Sequence, residues 1–372
     1  MKTLPYKKAL SILNKHGYEA YLVGGAVRDY YLHREPHDFD LTTNALPKEI
    51  CRIFQDFRQL NVGIKHGTVT VFIDGVPLEI TTYRSEQGYS DARHPDHVEF
   101  ITNIKEDCLR RDFTINALLL NDENQILDLV GGIEDLQKGI IRAIGNPQDR
   151  IHDDALRILR GIRLASQYGF SIEEKTKAAM FANASLLKNI SKERIADEFL
   201  KILNHENLDV LDIYQTIFKP LLKYHYDPDK LNKTRNIILR IVLLFKDNPE
   251  ELQKLFLNKQ DRVLINSLIK YSRANQQLEV AFSNVLDINL YCELMAINYQ
   301  KDFKTQYIKL RPYIVNRDNI AISAKEIMDM GYHNAALGRV IEQLIKDIQN
   351  HQIPNEHDVI LNHLKKHYKN AL

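Results

Sequence analysis

Cysteine is scarce in this sequence: its 372 residues include three, Cys51, Cys108 and Cys292, an odd number, widely spaced and without a CxxC pair. That excludes a disulfide framework and a cysteine-based zinc site, and it fits free buried thiols in a reducing compartment. No apolar run approaches the ~18 residues that read as a membrane span, and Met1 to Lys8 lacks the apolar core of a secretory signal. A cytoplasmic protein with no membrane partner is expected. Neither sign of charge is in excess, the formal net charge being +1. Any nucleic acid must therefore be met by a local basic surface and not by a global field. Repeats and low-complexity segments are absent as well. What is present is a chain long enough for two or three units of roughly 100–200 residues each.

The most informative stretch runs from Tyr21 to Asp29 (YLVGGAVRD) and on through His37 to Thr43 (HDFDLTT). An apolar strand enters the pair Gly24-Gly25, a helix carrying Arg28 follows, and a second short strand bears Asp38 and Asp40. Residues i and i+2 of a strand share a face, which points both aspartates one way and Phe39 into the core. Two carboxylates that close repel each other, and a divalent cation offsets this; hard oxygen ligands suit Mg²⁺. Without Cβ atoms, Gly24 and Gly25 let backbone N–H groups approach a ligand, and a helix N-terminus favours negative charge. The combination suits a triphosphate.

Further along, residues 5–16 read as an amphipathic helix stopped by Gly17, and Pro47 to Phe54 as another. Thr68–Ile73 and Leu78–Tyr83 read as a hairpin turning at Asp74-Gly75. Glu79 shares a strand face with Thr81, either as a third carboxylate beside Asp38 and Asp40 or as a solvated strand residue. Arg84 to Glu99 is polar and aperiodic, a surface loop or a mobile lid. In Arg110 to Ala117 (RRDFTINA), adjacent arginines beside an acid read either as a surface ion-pair patch or, since Phe113, Ile115 and Ala117 anchor a core with Arg111 and Asp112 at its entrance, as a site where Arg111 can hold phosphate oxygens and Asp112 can accept from a ribose hydroxyl. Leu127 to Leu136 reads as a strand, a Gly-Gly turn and a short helix where one domain hands over to the next.

Periodicity makes Arg150 to Ala165 a helix, with Leu156, Leu159 and Ile162 on one side and Asp153, Arg157 and Arg160 on another. An Asp153/Arg157 ion pair is worth only ~0.2–0.5 kcal/mol. It leaves Asp154, Arg160 and Arg163 unexplained. An Asp can accept from the exocyclic amine shared by cytosine and adenine while an Arg donates to the adjacent ring acceptor. One such pair reads C and A and rejects G and U without a template. From Ser171 onward the pattern is helix after helix, with Ser191 as an N-cap before Lys192-Glu193-Arg194. Lysines and arginines interleave with aromatics at Lys304, Tyr307, Lys309, Arg311 and Tyr313 and again at Lys365 to Lys369, as an RNA-following surface or as ordinary solvated faces.

The glycine pair with its two aspartates resembles the nucleotidyltransferase signature of the polymerase-beta superfamily, in the form found in class II tRNA nucleotidyltransferases and bacterial poly(A) polymerases. RRDFTINA matches that family's motif without departure. Asp154 and Arg157 fall in its EDxxR motif, with Asp153 where Glu is usual, and Ile190 to Glu198 resembles its ISxERIxxE motif. The resemblance is strong over roughly residues 20–200 and thins beyond about Leu203. It implies an α+β fold: a polymerase-beta-like nucleotidyltransferase head with a mixed sheet (1–138), a helical nucleotide-reading neck (139–203), and an all-α elongated body and tail that binds tRNA (204–372). It implies template-independent addition of CCA to the tRNA 3′ end from CTP and ATP, with release of pyrophosphate. Asp38 and Asp40 would be catalytic and hold Mg²⁺. Gly24, Gly25, Arg28 and Arg111 would hold the triphosphate and Asp112 the sugar. Asp154 and Arg157 would read the base, beside Arg160 and Arg163. The segment from Arg84 to Glu99 occupies the place of the family's flexible loop, needed for the last addition. No His-Asp metal cluster follows the helices, so the phosphohydrolase activities of longer relatives are not expected. An enzyme adding only A, a poly(A) polymerase and a non-catalytic tRNA-binding relative stay open, and the sequence is compatible with a homodimer without requiring one.

Overall fold

The alternation of Val69, Val71 and Ile73 with half-buried neighbours, and the apolar runs around Leu22 and Leu41, build one mixed sheet. The computed structural model describes residues 4–36, 38–87, 97–272 and 277–367. His37, residues 88–96 of the segment expected as a loop or lid, and Tyr368 and Lys369 lie outside them. The chain divides into two compact units, Met1–Leu221 and Leu222–Leu372.

In the first unit, α1 (Pro5–Lys15) covers the sheet with Tyr6, Ala9, Leu10 and Leu13, and Gly17 at φ 84° ends it. Then come β1 (Ala20–Val23), α2 (Gly25–Tyr31), β2 (Asp40–Thr43), α3 (Pro47–Ile53), β3 (Gln59–Leu60), β4 (Thr68–Ile73) and β5 (Val76–Thr82). The β4–β5 hairpin turns through Asp74 at φ 51° and Gly75 at φ 83°, the left-handed pair its sequence implies. After it follow β6 (Arg84–Gln87), β7 (His97–Phe100), α4 (Ile104–Leu109), β8 (Leu119–Leu120), β9 (Ile126–Leu127) and α5 (Gly132–Lys138). The seven-stranded sheet has the order β3-β4-β5-β2-β1-β8-β9, with β2 and β5 parallel and the other pairs antiparallel. Register brings Asp40 opposite Val23 on one side and Glu79 on the other.

Two elements differ from what their residues suggest. Asp38 lies outside β2, because β1 ends at Val23 and offers no backbone partner beyond Asp40. The described ends of the Arg84 to Glu99 segment are not loop: β6 and β7 pair as a separate antiparallel ribbon, from Arg84↔Phe100 to Gln87↔His97. Backbone pairing forms this ribbon without the apolar alternation that would have announced it.

The remainder of the unit is β10 (Ile140–Ile141), α6 (Pro147–Asp153), α7 (Leu156–Tyr168), β11 (Ser171–Ile172), α8 (Glu174–Ala182), α9 (Lys192–Leu203), α10 (Val210–Ile213) and α11 (Gln215–Phe218). The short parallel pair β10–β11 is a strand contact the all-helical reading did not include. Asp128 organises the handover into α5. Its Oδ1 accepts from the backbone N–H groups of Val130, Gly131 and Gly132, and its Oδ2 from that of Ile133. At Gly132 the chain passes so close to its neighbour that a Cβ would sit 2.4 Å from the carbonyl oxygen of Thr114. Backbone cannot swing aside as a side chain can. Gly132→Ala is therefore expected to destabilise the protein by ~1–3 kcal/mol, read as a lower urea midpoint with an unchanged slope.

The second unit is helical. Ile237–Phe245 is buried from Leu239 onward, and Val315, Ile327, Leu344, Ile348, Ile360 and Leu364 belong to another apolar core. Lys304, Lys309 and Arg311 are exposed, whereas Tyr307 packs edge-on against Phe282 and Tyr313 stacks on His351. The aromatics of that basic stretch thus serve packing and are not displayed beside the charges. Cys108 and Cys292 are buried free thiols and Cys51 is a half-buried one. Among the described residues no helix is long and apolar enough to cross a membrane.

Candidate active site

The glycine turn, the two aspartates, the RRD segment and α7 converge on one cavity of about 890 Å³. Every site residue expected from the sequence lines it: Gly24, Gly25, Arg28, Asp38, Asp40, Arg111, Asp112, Asp154, Arg157, Arg160 and Arg163. So do residues the sequence reading passed over, among them Asp29, His66, Arg84, Arg110, Asn116, Gln167 and Arg194. The lining carries eight arginines against five aspartates, so the cavity is suited to a polyanion.

Gly24 stands at φ 79°, ψ −142°, a conformation closed to side-chain-bearing residues, and a Cβ there would lie 3.8 Å from Asp40 Oδ2. The turn therefore brings backbone against the Asp40 carboxylate. Asp40 is water-accessible yet surrounded by protein. Desolvation raises its pKa to about 6, helped by the carboxylates of Glu79 and Asp38 and opposed by Arg111. Phe39 stacks on Tyr6 with ring centroids 5.2 Å apart. Among the described residues no group of three or more His, Cys, Asp or Glu side chains is placed to hold a metal ion. Asp38 and Asp40 are a hard-oxygen pair, and a cation there would need its remaining ligands from substrate or water.

Arg28 is buried, with Nε on Asp29 Oδ1 at 3.2 Å and Nη1 donating to Asn116 Oδ1. Arg110 and Arg111 both pair with Asp107, a wholly buried carboxylate at 2.8 and 2.9 Å that also accepts from the Thr42 hydroxyl and the Arg84 backbone N–H. Four buried side-chain polar atoms among the described residues lack a hydrogen-bond partner, and two of them, Arg111 Nε and Arg194 Nη1, belong to residues lining the cavity. Such donors cost free energy until a ligand accepts from them.

Asp112 is more heavily engaged than a free sugar contact would be. Its Oδ1 accepts from the Phe113 N–H and from Asn116 Nδ2, and its Oδ2 accepts from Arg160 Nε and Nη2 at 2.9 and 2.6 Å. All four lone-pair directions are used. Burial pushes this carboxyl up, but Arg160 outweighs it and holds the pKa well below the usual carboxylate range.

The helix expected across Arg150 to Ala165 is broken. Asp154 is extended at φ −141°, ψ 104°, between the end of α6 and the start of α7. Its Oδ1 accepts from the Leu156 N–H at 2.9 Å. Aspartate competes for backbone donors in this way and favours caps over helix interiors, which the apolar period does not report. Asp154 Oδ2 lies 3.5 Å from Arg194 Nη2, while Arg157 gives Nη1 to the Arg150 carbonyl and Nη2 to that of Arg110. Asp153 stands 3.8 Å from Arg157. Arg163 donates to Glu198 at 2.7 Å. Arg194 and Glu198, four apart on one face of α9, thus brace Asp154 and α7 respectively. Ser191 holds the N-cap position of α9 without a side-chain cap bond.

Residues 20–142 match the family model described as "Poly A polymerase head domain", and residues 169–210 that described as "Probable RNA and SrmB-binding site of polymerase A". The two matches place a polymerase-type head before a second segment of the same polymerase family. A CCA-adding enzyme of Ligilactobacillus salivarius is 35% identical over 393 aligned positions, covering 97% of this chain and 96% of that protein. One from Lactobacillus helveticus is 51% identical over 202 residues, covering 54% of this chain and 49% of its own length. The match to such relatives therefore spans about half their length. The structure of the Bacillus stearothermophilus CCA-adding enzyme in complex with CTP superposes with a TM-score of 0.76 at 26% identity, covering 99% of this chain and all of that one. The chain belongs to the CCA-adding enzyme family.

Proposed function

We propose that this protein adds CCA to the 3′ end of tRNA from CTP and ATP, without a nucleic-acid template and with release of pyrophosphate. The observation that carries the reading is the single cavity in which an aspartate pair, eight arginines and Asp154 meet. In the reaction the tRNA 3′-hydroxyl gives its proton to water as its oxygen attacks the α-phosphorus, the bond to the bridging oxygen breaks, and pyrophosphate leaves. Asp38 and Asp40 would hold Mg²⁺, which the crowding of hard carboxylates around Asp40 favours. Bound there, the ion would lower the pKa of the attacking hydroxyl and offset charge on the phosphates. Arg28 and Arg111 take the triphosphate, with the orphaned Nε–H of Arg111 as a ready donor. A ribose contact to Asp112 requires Arg160 to yield one of its two hydrogen bonds. Asp154 accepts from the exocyclic amine of C or A, and Arg157 supplies the neighbouring donor. The head, neck and tRNA-binding body keep the bounds 1–138, 139–203 and 204–372 in this reading.

The test is to supply tRNAs ending in the discriminator base, in C or in CC with CTP or ATP separately. Stepwise C, C and A addition is expected; addition of A to the CC end alone would make this an A-adding enzyme, and long A tails a poly(A) polymerase. A separate outcome concerns the base reader. Asp154→Ala should raise the use of UTP and GTP relative to CTP and ATP by about ten- to a hundredfold, since a bidentate base contact discriminates by ~1–3 kcal/mol. Arg160→Ala and Arg163→Ala should weaken all four nucleotides alike. An Asp154→Ala enzyme that is slower but unchanged in preference in four-nucleotide competition would reduce Asp154 to a helix cap.

A further inference from the structure

Arg28 does not stand alone at the phosphate end of the cavity. Its guanidinium lies 4.6 Å from the ring centroid of Tyr168, the last residue of α7, and that of Arg34 lies 4.7 Å from the same ring. The Tyr168 hydroxyl donates to Asp29 Oδ1 at 2.5 Å, the oxygen that also accepts from Arg28 Nε. A Cβ on Gly25 would come within 3.2 Å of Arg28 Nη2, so the guanidinium is held directly over the glycine turn. Gly169 at φ 70° ends α7 immediately after Tyr168. The ring is half-buried, where a cation over an aromatic face is worth more than at an exposed site.

Building on the nucleotide-adding reading above, we propose that Tyr168 is a positioning residue: it clasps Arg28 to the end of the helix that carries Arg157, Arg160 and Arg163, and so holds the phosphate ligand in register with the base reader. A long arginine side chain loses several rotamers on ordering, and one fixed by a ring face, a carboxylate and Asn116 meets a phosphate already placed. The clasp acts on phosphate and not on the base. It therefore predicts an effect equal for CTP and ATP.

Inorganic tripolyphosphate is the probe, its binding read by calorimetry, which needs no turnover. Tyr168→Leu removes the ring face and the hydroxyl, and should weaken tripolyphosphate binding about three- to thirtyfold, the range set by a cation–π contact. The KM for CTP and for ATP should rise by the same factor, with the order of preference among the four nucleotides unmoved. Tyr168→Phe keeps the ring and loses only the bond to Asp29, so its loss should be smaller than that of the leucine variant. If the leucine variant fails to fold, Tyr168→Met, of similar length but without an aromatic face, takes its place, and wild-type tripolyphosphate binding there would overturn the clasp. Wild-type tripolyphosphate affinity in both variants, or KM changes that differ between CTP and ATP, overturns the inference too. A wild-type protein that binds tripolyphosphate but adds no nucleotide would overturn the proposed activity and leave the Tyr168 comparison standing. One that binds none would overturn both.

Discussion

Asp40→Ala is expected to abolish nucleotide addition, by about a thousandfold or more, while leaving the protein folded. The several kcal/mol that a bound metal supplies to developing charge correspond to about three decades of rate. Asp38→Ala should have the same sign. The geometry adds a second expectation for Asp40, because its pKa is raised to about 6 by desolvation and by Glu79. A carboxyl whose folded pKa is raised contributes stability below its unfolded value near 3.8 and loses it as the pH climbs through about 6. At pH 8, without divalent cation, Asp40→Ala should therefore unfold at the same temperature as wild type or higher. Incorporation of radiolabelled CTP and thermal unfolding in chelator measure the two effects. Near-normal turnover would show that Asp40 holds no catalytic metal, and a lowered unfolding temperature at pH 8 would contradict the crowding of its carboxylate.

Asp107→Ala should destabilise the protein by ~3–5 kcal/mol, the cost of stripping a partner from a buried charge pair. Its side chain is fully buried and accepts from Arg110, Arg111, Thr42 and the backbone N–H of Arg84. Burial pushes its carboxyl up, yet Arg111 and Arg110 outweigh that and hold the pKa below its ordinary value. A depressed carboxylate contributes stability above its unfolded pKa near 3.8 and loses it as the pH falls through the folded value. Asp107→Asn, similar in shape but uncharged, should accordingly flatten the acid limb of the stability curve below about pH 4. Because Asp107 also fixes Arg111 and the root of β6, either variant should bind triphosphate poorly even where it remains folded. A loss under about 1 kcal/mol in chemical denaturation would show that the two arginines find other partners.

Much of the cavity was legible because its chemistry is local. Asp38 and Asp40 are two residues apart, Arg111 and Asp112 adjacent, and Asp154 and Arg157 one helical turn apart in number. Spacing of that kind shows which side chains can face a common ligand. The parts that escaped notice depend on residues distant in the chain. Asp107 looks like an ordinary charge in a short helix, with Arg111 one turn away, until Arg84 and Thr42 enclose it. Arg194 reads as a solvated helix residue until α9 lays it beside Asp154. The break at Asp154 escaped because hydrophobic periodicity follows Leu156, Leu159 and Ile162 and is blind to a carboxylate that prefers the Leu156 N–H to another helical turn.

The sequence by itself determined the sheet-then-helix order of the elements, because strand and helix periods and glycine conformations are properties of neighbouring residues, and its motifs carried the family resemblance and part of the set of residues that meet in the site. Only the tertiary structure decided who holds whom: Arg160 on Asp112, Glu198 on Arg163, Arg194 on Asp154, Asp107 on Thr42 and Arg84, and Tyr168 on Arg28. Buried charges must be paired, and the pairing depends on which charges the folded chain brings within about 4 Å, a distance unrelated to separation along the sequence.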